Sequence, residues 1–235
     1  MNINKNLKIA ILTYNKPHKK SRDLYYGLKK KGYRNISILE KKFKKYKERS
    51  NINFIKHRPK MIMGKSLNEL FKNKRDKIYT FQKKTINKFD YIIIGGSGII
   101  EKKFIKKNLY INCHSGLIPS SRGLDSAKWD ILKNRVAGCT LHFIDSRTDL
   151  GTIISHKCTP ILKKDIMSHF FKNHYRNEIN MLINFEEHLN KPVILKLTLN
   201  KSNMRMNKIN EILMIKNFKI WKLLQLNYFK IKGYI

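Results

Sequence analysis

"DYIIIGGSGIIEKKFIKKNLYINCHSGLIP", Asp90 to Pro119, decides the fold class of this chain. Tyr91 to Ile94 is an unbroken apolar run that stops at Gly95 and Gly96. A strand reads this way when both of its faces are covered, and such strands sit in the middle of parallel sheets. Their carboxyl ends open into the loops where ligands bind. The run predicts a strand from Asp90, a site loop over Gly95 to Gly98 and a helix near Glu101 to Lys107. A further strand is predicted at Leu109 to Asn112. Asn112, Cys113 and His114 then fall within three positions at the head of a lysine-poor stretch, Ile111 to Leu132, within a chain dominated by Lys, Asn and Ile.

Outward from there, elements alternate without internal repeats. Leu7 to Tyr14 is a buried-strand pattern, and Ser21 reads as the cap of a helix carrying Leu24, Tyr25 and Leu28 that stops at Gly32. Ile36 and Ile38 alternate with polar residues in a second strand, after which the lysine-rich stretch to about Pro59 reads as irregular structure. Ser66 and Glu69 have the spacing of a capping box. Beyond the quoted stretch, Trp129 lies in a helix and His142 in a strand. Asp145, Asp149 and Gly151 lie in the polar loop between two β-rich runs. Residues from Asp165 to Leu189 place Phe170, Phe171, Met181, Leu182 and Phe185 near helical spacing, the pattern of a packing helix. A second amphipathic helix with Phe218 and Trp221 on its apolar side is expected to dock on the domain rather than on a membrane or RNA. Strands alternating with short helices predict an α/β fold: a Rossmann-like, doubly wound, mostly parallel sheet. We divide the chain into a catalytic domain over 1–200 and a helical tail over 201–235 that packs on it.

The 235 residues suffice for one sizeable core. Hydrophobic residues make up 41%, too many for a disordered chain. No apolar run approaches the roughly 18 residues that span a membrane. The first residues lack a small-residue cleavage pattern, so they read as a strand and not a secretory signal, and a cytoplasmic protein is expected. Three cysteines at no metal-ligand spacing imply neither a disulfide framework nor a metal site. The net charge of +35 is mainly lysine spread along the whole chain together with abundant Asn and Ile. That distribution marks a compositionally biased, solvated surface more than a nucleic-acid face, although it would still draw in an acidic substrate.

Asn112-x-His114, the Gly-Leu-Ile-Pro turn, Arg122-Gly123, the Trp129 helix, His142 and Asp149-x-Gly151 form an ordered constellation over about forty residues. It resembles the 10-formyltetrahydrofolate-dependent formyltransferase family, whose core reads Asn-x-His-Pro-Ser-Leu-Leu-Pro, then Arg-Gly, then Asp-x-Gly before an Ile-Ile-like strand. The match covers roughly Asp90 to Ile161. Ser115 stands where the family usually has Pro, and Gly116 where it has Ser. The resemblance implies Asn112, His114 and Asp149 as a catalytic triad. It also implies Ser97, Gly98, Ile99 and Ile100, with Asp145 and Thr148, as contacts of the folate that donates the formyl group, 10-formyltetrahydrofolate.

The chemistry of these residue types agrees. Formyl transfer to an amine develops negative charge on a carbonyl oxygen and needs fixed donors aimed at it. Asn112 offers an amide N–H and a protonated His114 a charged one, and their i, i+2 spacing in an extended segment sets both on one face. A carboxylate such as Asp149 near His114 would favour the protonated ring and could take the attacking amine's proton. His142 reads as a buried structural histidine. Arg122 either binds an acidic acceptor or anchors its own loop. "NKPHKK" after the first strand is not the glycine-rich turn of the family's purine-pathway members. The chain also ends before the tRNA-gripping domain of its methionyl-tRNA members. The expected acceptor is therefore the amine of a small anionic metabolite such as a nucleotide-linked amino sugar. A formyltetrahydrofolate hydrolase and a catalytically idle, basic RNA-binding module are the alternatives.

Overall fold

The computed structural model describes residues 4–43, 54–62, 64–65, 67, 76–146, 151–189 and 201–233. At the centre of the five parallel strands is β1 (Lys8–Tyr14), where alternation sends Ile9 and Ile11 to one side and Ala10 and Leu12 to the other. All four are fully buried, so both faces of this strand are covered. On one flank lie β2 (Asn35–Lys41) and β3 (Ile78–Thr80), and on the other β4 (Tyr91–Ile94) and β5 (Tyr110–His114), all parallel. The sheet then reverses through β6 (Gly138–Phe143) and β7 (Ile153–Cys158), which run antiparallel to their neighbours. The strand order is β3-β2-β1-β4-β5-β6-β7, a doubly wound, mostly parallel sheet.

Helix α1 (Lys19–Lys31) packs Leu24 and Leu28 on one face of the sheet beside Ile179, Leu182 and Phe185 of α4 (Met167–Ile183) and α5 (Phe185–Leu189). The other face holds Leu12, Leu39, Ile92 and Tyr110 beneath Ile86 of α2 (Lys83–Ile86). A third cluster joins Ala127 and Ile131 of α3 (Ser126–Leu132) and Phe170 and Phe171 of α4 to Met214, Phe218 and Trp221 of α6 (Lys208–Ile231).

Three local expectations change. Helix α1 begins three residues early, with His18 at its N-cap; Ser21 lies inside it, buried, and donates to Thr13 Oγ1 at 2.7 Å. A small hydroxyl with a partner on the adjacent strand serves packing better there than a cap would. Gly32 ends the helix as read: its φ of 105° is left-handed and its N–H reaches the carbonyls of Leu28 and Lys29. The helix expected near Glu101 to Lys107 is a single 3-10 turn, Lys102–Phe104, and the following strand runs on to His114, so Asn112 and His114 belong to the strand itself. The capping box at Ser66 and Glu69 lies outside the described residues.

The tail is tied down by charge as well as by packing. Lys128, fully buried on α3, pairs with Glu211 on the first turn of α6. Glu211 also accepts the backbone N–H groups of Phe54 at 2.9 Å and Ile55 at 3.1 Å. Burial opposes the charge on Glu211, but Lys128 and these two N–H groups outweigh it and hold its carboxyl below the ordinary range. Trp221 is fully buried, meets Phe170 edge to face at 4.8 Å and donates Nε1–H to the Arg135 carbonyl at 2.8 Å. Replacing it, Trp221→Ala, should cost about 3–5 kcal/mol in chemical denaturation, the range for emptying an aromatic site in a core.

Asp130 on α3 is fully buried, and neither carboxyl oxygen has a hydrogen-bond partner among the described residues. Burial raises its pKa to about 7, only partly offset by the nearby Ser121 hydroxyl and the Arg135 and Lys133 charges. An unfolded Asp ionises near 3.8, so between about 3.8 and 7 the folded state binds more protons, and stability falls as pH rises through that window. Asp130→Asn should raise stability by about 1–3 kcal/mol at pH 8. The gain should shrink towards nothing near pH 4, read as unfolding curves at both pH values.

Candidate active site

The register between β5 and β6 sets Asn112 opposite His142 and His114 opposite Thr140. Ile111 and Cys113 point into the core below the sheet, so Asn112 and His114 share the other face. Asn112 Nδ2 lies 3.2 Å from His142 Nε2, and His142 Nδ1 lies 3.2 Å from the Phe143 carbonyl. A carbonyl only accepts, so Nδ1 carries the hydrogen and Nε2 accepts from the Asn112 amide. The carboxamide is thereby oriented, and its second N–H remains to donate. His142, read from the sequence as structural, is buried and also lines the cleft described next. Its place opposite Asn112 was the missing signal, and a single sequence does not give strand register.

His114 is 8% exposed. Its Nε2 lies 3.1 Å from the Ser121 carbonyl and 3.2 Å from Ser126 Oγ, whose own hydroxyl donates to the Gly123 carbonyl at 3.0 Å. Nε2 therefore carries a hydrogen, and the ring is held against the turn that follows β5. Thr140 closes that turn from the opposite strand: its hydroxyl donates to the Gly116 carbonyl at 2.7 Å and accepts the Ile118 N–H at 3.0 Å. The Ile118–Pro119 peptide is cis.

A cleft of about 200 Å³ opens beyond the carboxyl ends of β4 and β5. Ser97, Gly98, Ile99 and Ile100 form one wall, Asp145 and Ser146 another, with Asn112 and His142 at the base. The structure thus brings Asn112, the 97–100 loop and Asp145 together. Thr148 and Asp149 lie outside the described residues. Lys41, at the end of β2, donates to the Ser97 carbonyl at 3.0 Å and the Ile99 carbonyl at 2.6 Å and so fixes the loop. Gly151 closes the far side of the Asp149-x-Gly151 motif. A Cβ there would fall 1.7 Å from the Phe143 carbonyl oxygen, so only glycine lets the chain re-enter the sheet at this distance.

A second, larger cleft of about 710 Å³ lies between α1, residues 56–60 and α4. Lys19, Lys56, Arg58, Lys60, Lys172 and Arg176 line it, and among the described residues Asp23 is the one carboxylate that does. Arg58 links this cleft to β5: its Nη2 lies 2.9 Å from Ser115 Oγ, beside His114, and 3.1 Å from Glu178 Oε2. Glu178 is buried and also accepts from Lys20 at 2.7 Å. Burial opposes its charge, but Arg58 and Lys20 prevail and hold its carboxyl at about 2. Next to it, burial pushes His174 down to about 4, so this ring is neutral, with Thr159 Oγ1 2.8 Å from its Nδ1. Neither Arg58 nor Glu178 was a candidate from the sequence, because one is a cation in a lysine-rich stretch and the other a lone acid on a packing helix. Among the described residues no group of His, Cys, Asp and Glu could hold a metal ion.

The formyl transferase family model matches residues 8–185. Among solved structures, WlaRD, a sugar 3N-formyl transferase determined with dTDP and 5-N-formyl-THF, superposes with a TM-score of 0.57 at 21% identity, over 90% of this chain and 79% of that one. A 4-N formyltransferase from Francisella tularensis gives 0.57 at 18% identity, over 89% and 86%. At these identities the likeness is one of fold. Among curated proteins, the trifunctional purine biosynthetic protein adenosine-3 of Chironomus tentans is 36% identical over 61 residues, 25% of this chain and 4% of that protein. Its Gallus gallus counterpart is 33% identical over 72 residues, 29% of this chain and 7% of that protein. The chain thus matches only a small part of either curated relative. Since the family model runs from the first strand through the sheet and its clefts to the end of α4, the chain belongs to the formyl transferase family.

Proposed function

We propose that this chain is a formyltransferase that moves a formyl group from 10-formyltetrahydrofolate to the amine of a small anionic acceptor, a nucleotide-linked amino sugar. The observation that carries the reading is Arg58, which lines the basic cleft and touches Ser115, the residue after His114. An acceptor with its negative charge in that cleft would extend towards the carboxyl end of β5. The smaller cleft suits the folate: Ile94, Ile100, Ile105 and Ile144 offer apolar walls to a flat ring, and Ser97, Asn112 and Asp145 offer polar groups to its edge. WlaRD was solved with dTDP and 5-N-formyl-THF, and the Helicobacter canadensis N-formyltransferase with folinic acid and dTDP-3-aminofucose, which supports both halves of this assignment by analogy.

The folate supplies a carbonyl carbon for the amine to attack and a carbonyl oxygen on which negative charge develops. Asn112, oriented by His142, directs its remaining amide N–H at that oxygen. The Nε2–H of His114 is taken by the Ser121 carbonyl, so its ring supplies the second donor from the same strand face through Nδ1–H when charged. Asp149 favours the charged ring and accepts the proton that the amine loses, directly or through water. The formyl carbon's bond to the folate nitrogen then breaks, the oxygen returns to a carbonyl, and the nitrogen takes that proton as tetrahydrofolate leaves. The segment after β1, Asn15 to His18, has no glycine, which disfavours a glycinamide ribonucleotide as the acceptor. We place the reaction in the cytoplasm.

The reading is tested by supplying 10-formyltetrahydrofolate with a panel of nucleotide-linked amino sugars and glycinamide ribonucleotide, and following release of tetrahydrofolate. Release should require an amino sugar. Release without any amine would make the chain a hydrolase, and tight RNA binding with no folate turnover would favour an idle module. A folate analogue at 100 times its dissociation constant should add about 2.7 kcal/mol to stability, seen as a rise in melting temperature.

His114→Ala and Asp149→Asn should each lower kcat by about 100-fold or more with folate affinity nearly unchanged, because their interactions strengthen in the transition state. The double variant should be little worse than the poorer single one, since groups that act as a unit are not additive. Arg58→Ala should instead raise the acceptor's KM by about tenfold or more and leave folate binding intact, the pattern for a lost charged contact to substrate. Full activity of His114→Ala in folded protein would refute the mechanism.

A further inference from the structure

Helix α6 is apolar on two faces. Met214, Phe218, Trp221 and Phe229 are buried against the domain. Roughly 140° round the helix at 3.6 residues per turn, Ile209, Leu213, Ile220, Leu223, Leu224 and Ile231 are exposed, at 71%, 47%, 57%, 64%, 47% and 83%. From Ile209 to Ile231 these residues extend over roughly 33 Å at the helical rise, interrupted by the exposed Lys216 and Asn227, and exposed apolar surface interspersed with polar groups marks an interaction site. Lys216 lies within the stripe, Lys219 and Lys230 border it on one side, and all three are exposed. Glu211 is the only acid in the helix, and it is buried and engaged with Lys128. The exposed surface of α6 therefore presents Ile and Leu beside cations with no acidic group.

We propose that this outer face of α6 docks on an anionic phospholipid surface. The charge pattern selects the partner. A second copy of the chain would have to pair two such faces, and helix pairs are stabilised when the positions flanking the apolar seam carry opposite charges. Here the flanking groups are lysines and the chain carries +35, so self-pairing sets like charge on like. An anionic bilayer reverses the sign: Ile and Leu enter the boundary between headgroups and acyl chains while lysines meet the headgroups. The helix lies on the membrane and does not cross it, as no helix among the described residues is long and apolar enough to span one.

The test is sedimentation of the whole chain with vesicles of phosphatidylglycerol and phosphatidylcholine in equal parts, against vesicles of phosphatidylcholine alone. Binding to the anionic vesicles should be at least about tenfold tighter, because headgroup charge and apolar burial act together. Ile220→Ser with Leu223→Ser keeps the net charge and touches only the outer face. It should weaken anionic-vesicle binding by at least about tenfold while leaving the melting temperature unchanged. If that variant unfolds, the triple change Lys216→Gln, Lys219→Gln, Lys230→Gln should weaken binding similarly. Equal binding by parent and folded variant would reduce the effect to general charge adsorption and overturn the proposal. It would also be overturned by no vesicle binding at all, or by a dimer in sedimentation velocity that the serine variant splits.

Discussion

The pairing of β5 with β6 is the constraint from which the site follows. The sheet is parallel up to β5 and reverses there, so the carboxyl end of β5 lies beside the amino-terminal half of an antiparallel neighbour instead of another βα crossover. One register places His142 where it can accept from Asn112 and Thr140 where its hydroxyl clips the turn after His114. A slip of one residue would turn His142 and Thr140 to the opposite face. Asn112 would lose its orienting partner, and the 116–118 turn would lose the group that satisfies its backbone on both sides.

Much of this was legible where a short stretch of sequence carries the physics by itself. The apolar run ending in Gly95 needed no tertiary knowledge to be read as a central strand, nor did Gly32 to be read as a helix end. The i, i+2 spacing of Asn112 and His114 gave their common face once the segment was taken as extended. What stayed hidden depends on partners far apart in the chain. Ser21 has the chemistry of a cap, yet Thr13 on a neighbouring strand claims its hydroxyl. Arg58 is set apart from dozens of other cations by Ser115 and by Glu178, which lies 120 residues away on a helix with an ordinary amphipathic pattern. Asp149 and Thr148, implied by the family resemblance, lie outside the described residues.

Charge divides between the interior and the surface in the same way. With 51 Lys and Arg against 16 Asp and Glu, acids are scarce, and several stand where an inner cation needs a counterion. Glu178 serves Lys20 and Arg58, Glu211 serves Lys128, and Asp76 serves Lys29. Removing one partner of a buried pair leaves the other charged and stranded, which is far more costly than losing a surface pair. Lysine can therefore accumulate on the outside of this fold with little consequence, whereas the interior acids have little freedom to change. The basic cleft is where the excess gathers around a concave surface.

The two tryptophans sit in unlike surroundings at the junction that holds the tail. Trp221 is sealed among Phe170, Phe218 and Met214. Trp129 is half-buried, with the Lys133 ammonium over its ring at 5.1 Å and its Nε1–H on the Met204 carbonyl. An indole in a dry aromatic pocket emits to the blue of one that meets water. The chain therefore carries an intrinsic optical gauge of whether its last helix is seated, with one chromophore reporting the pocket and the other the rim.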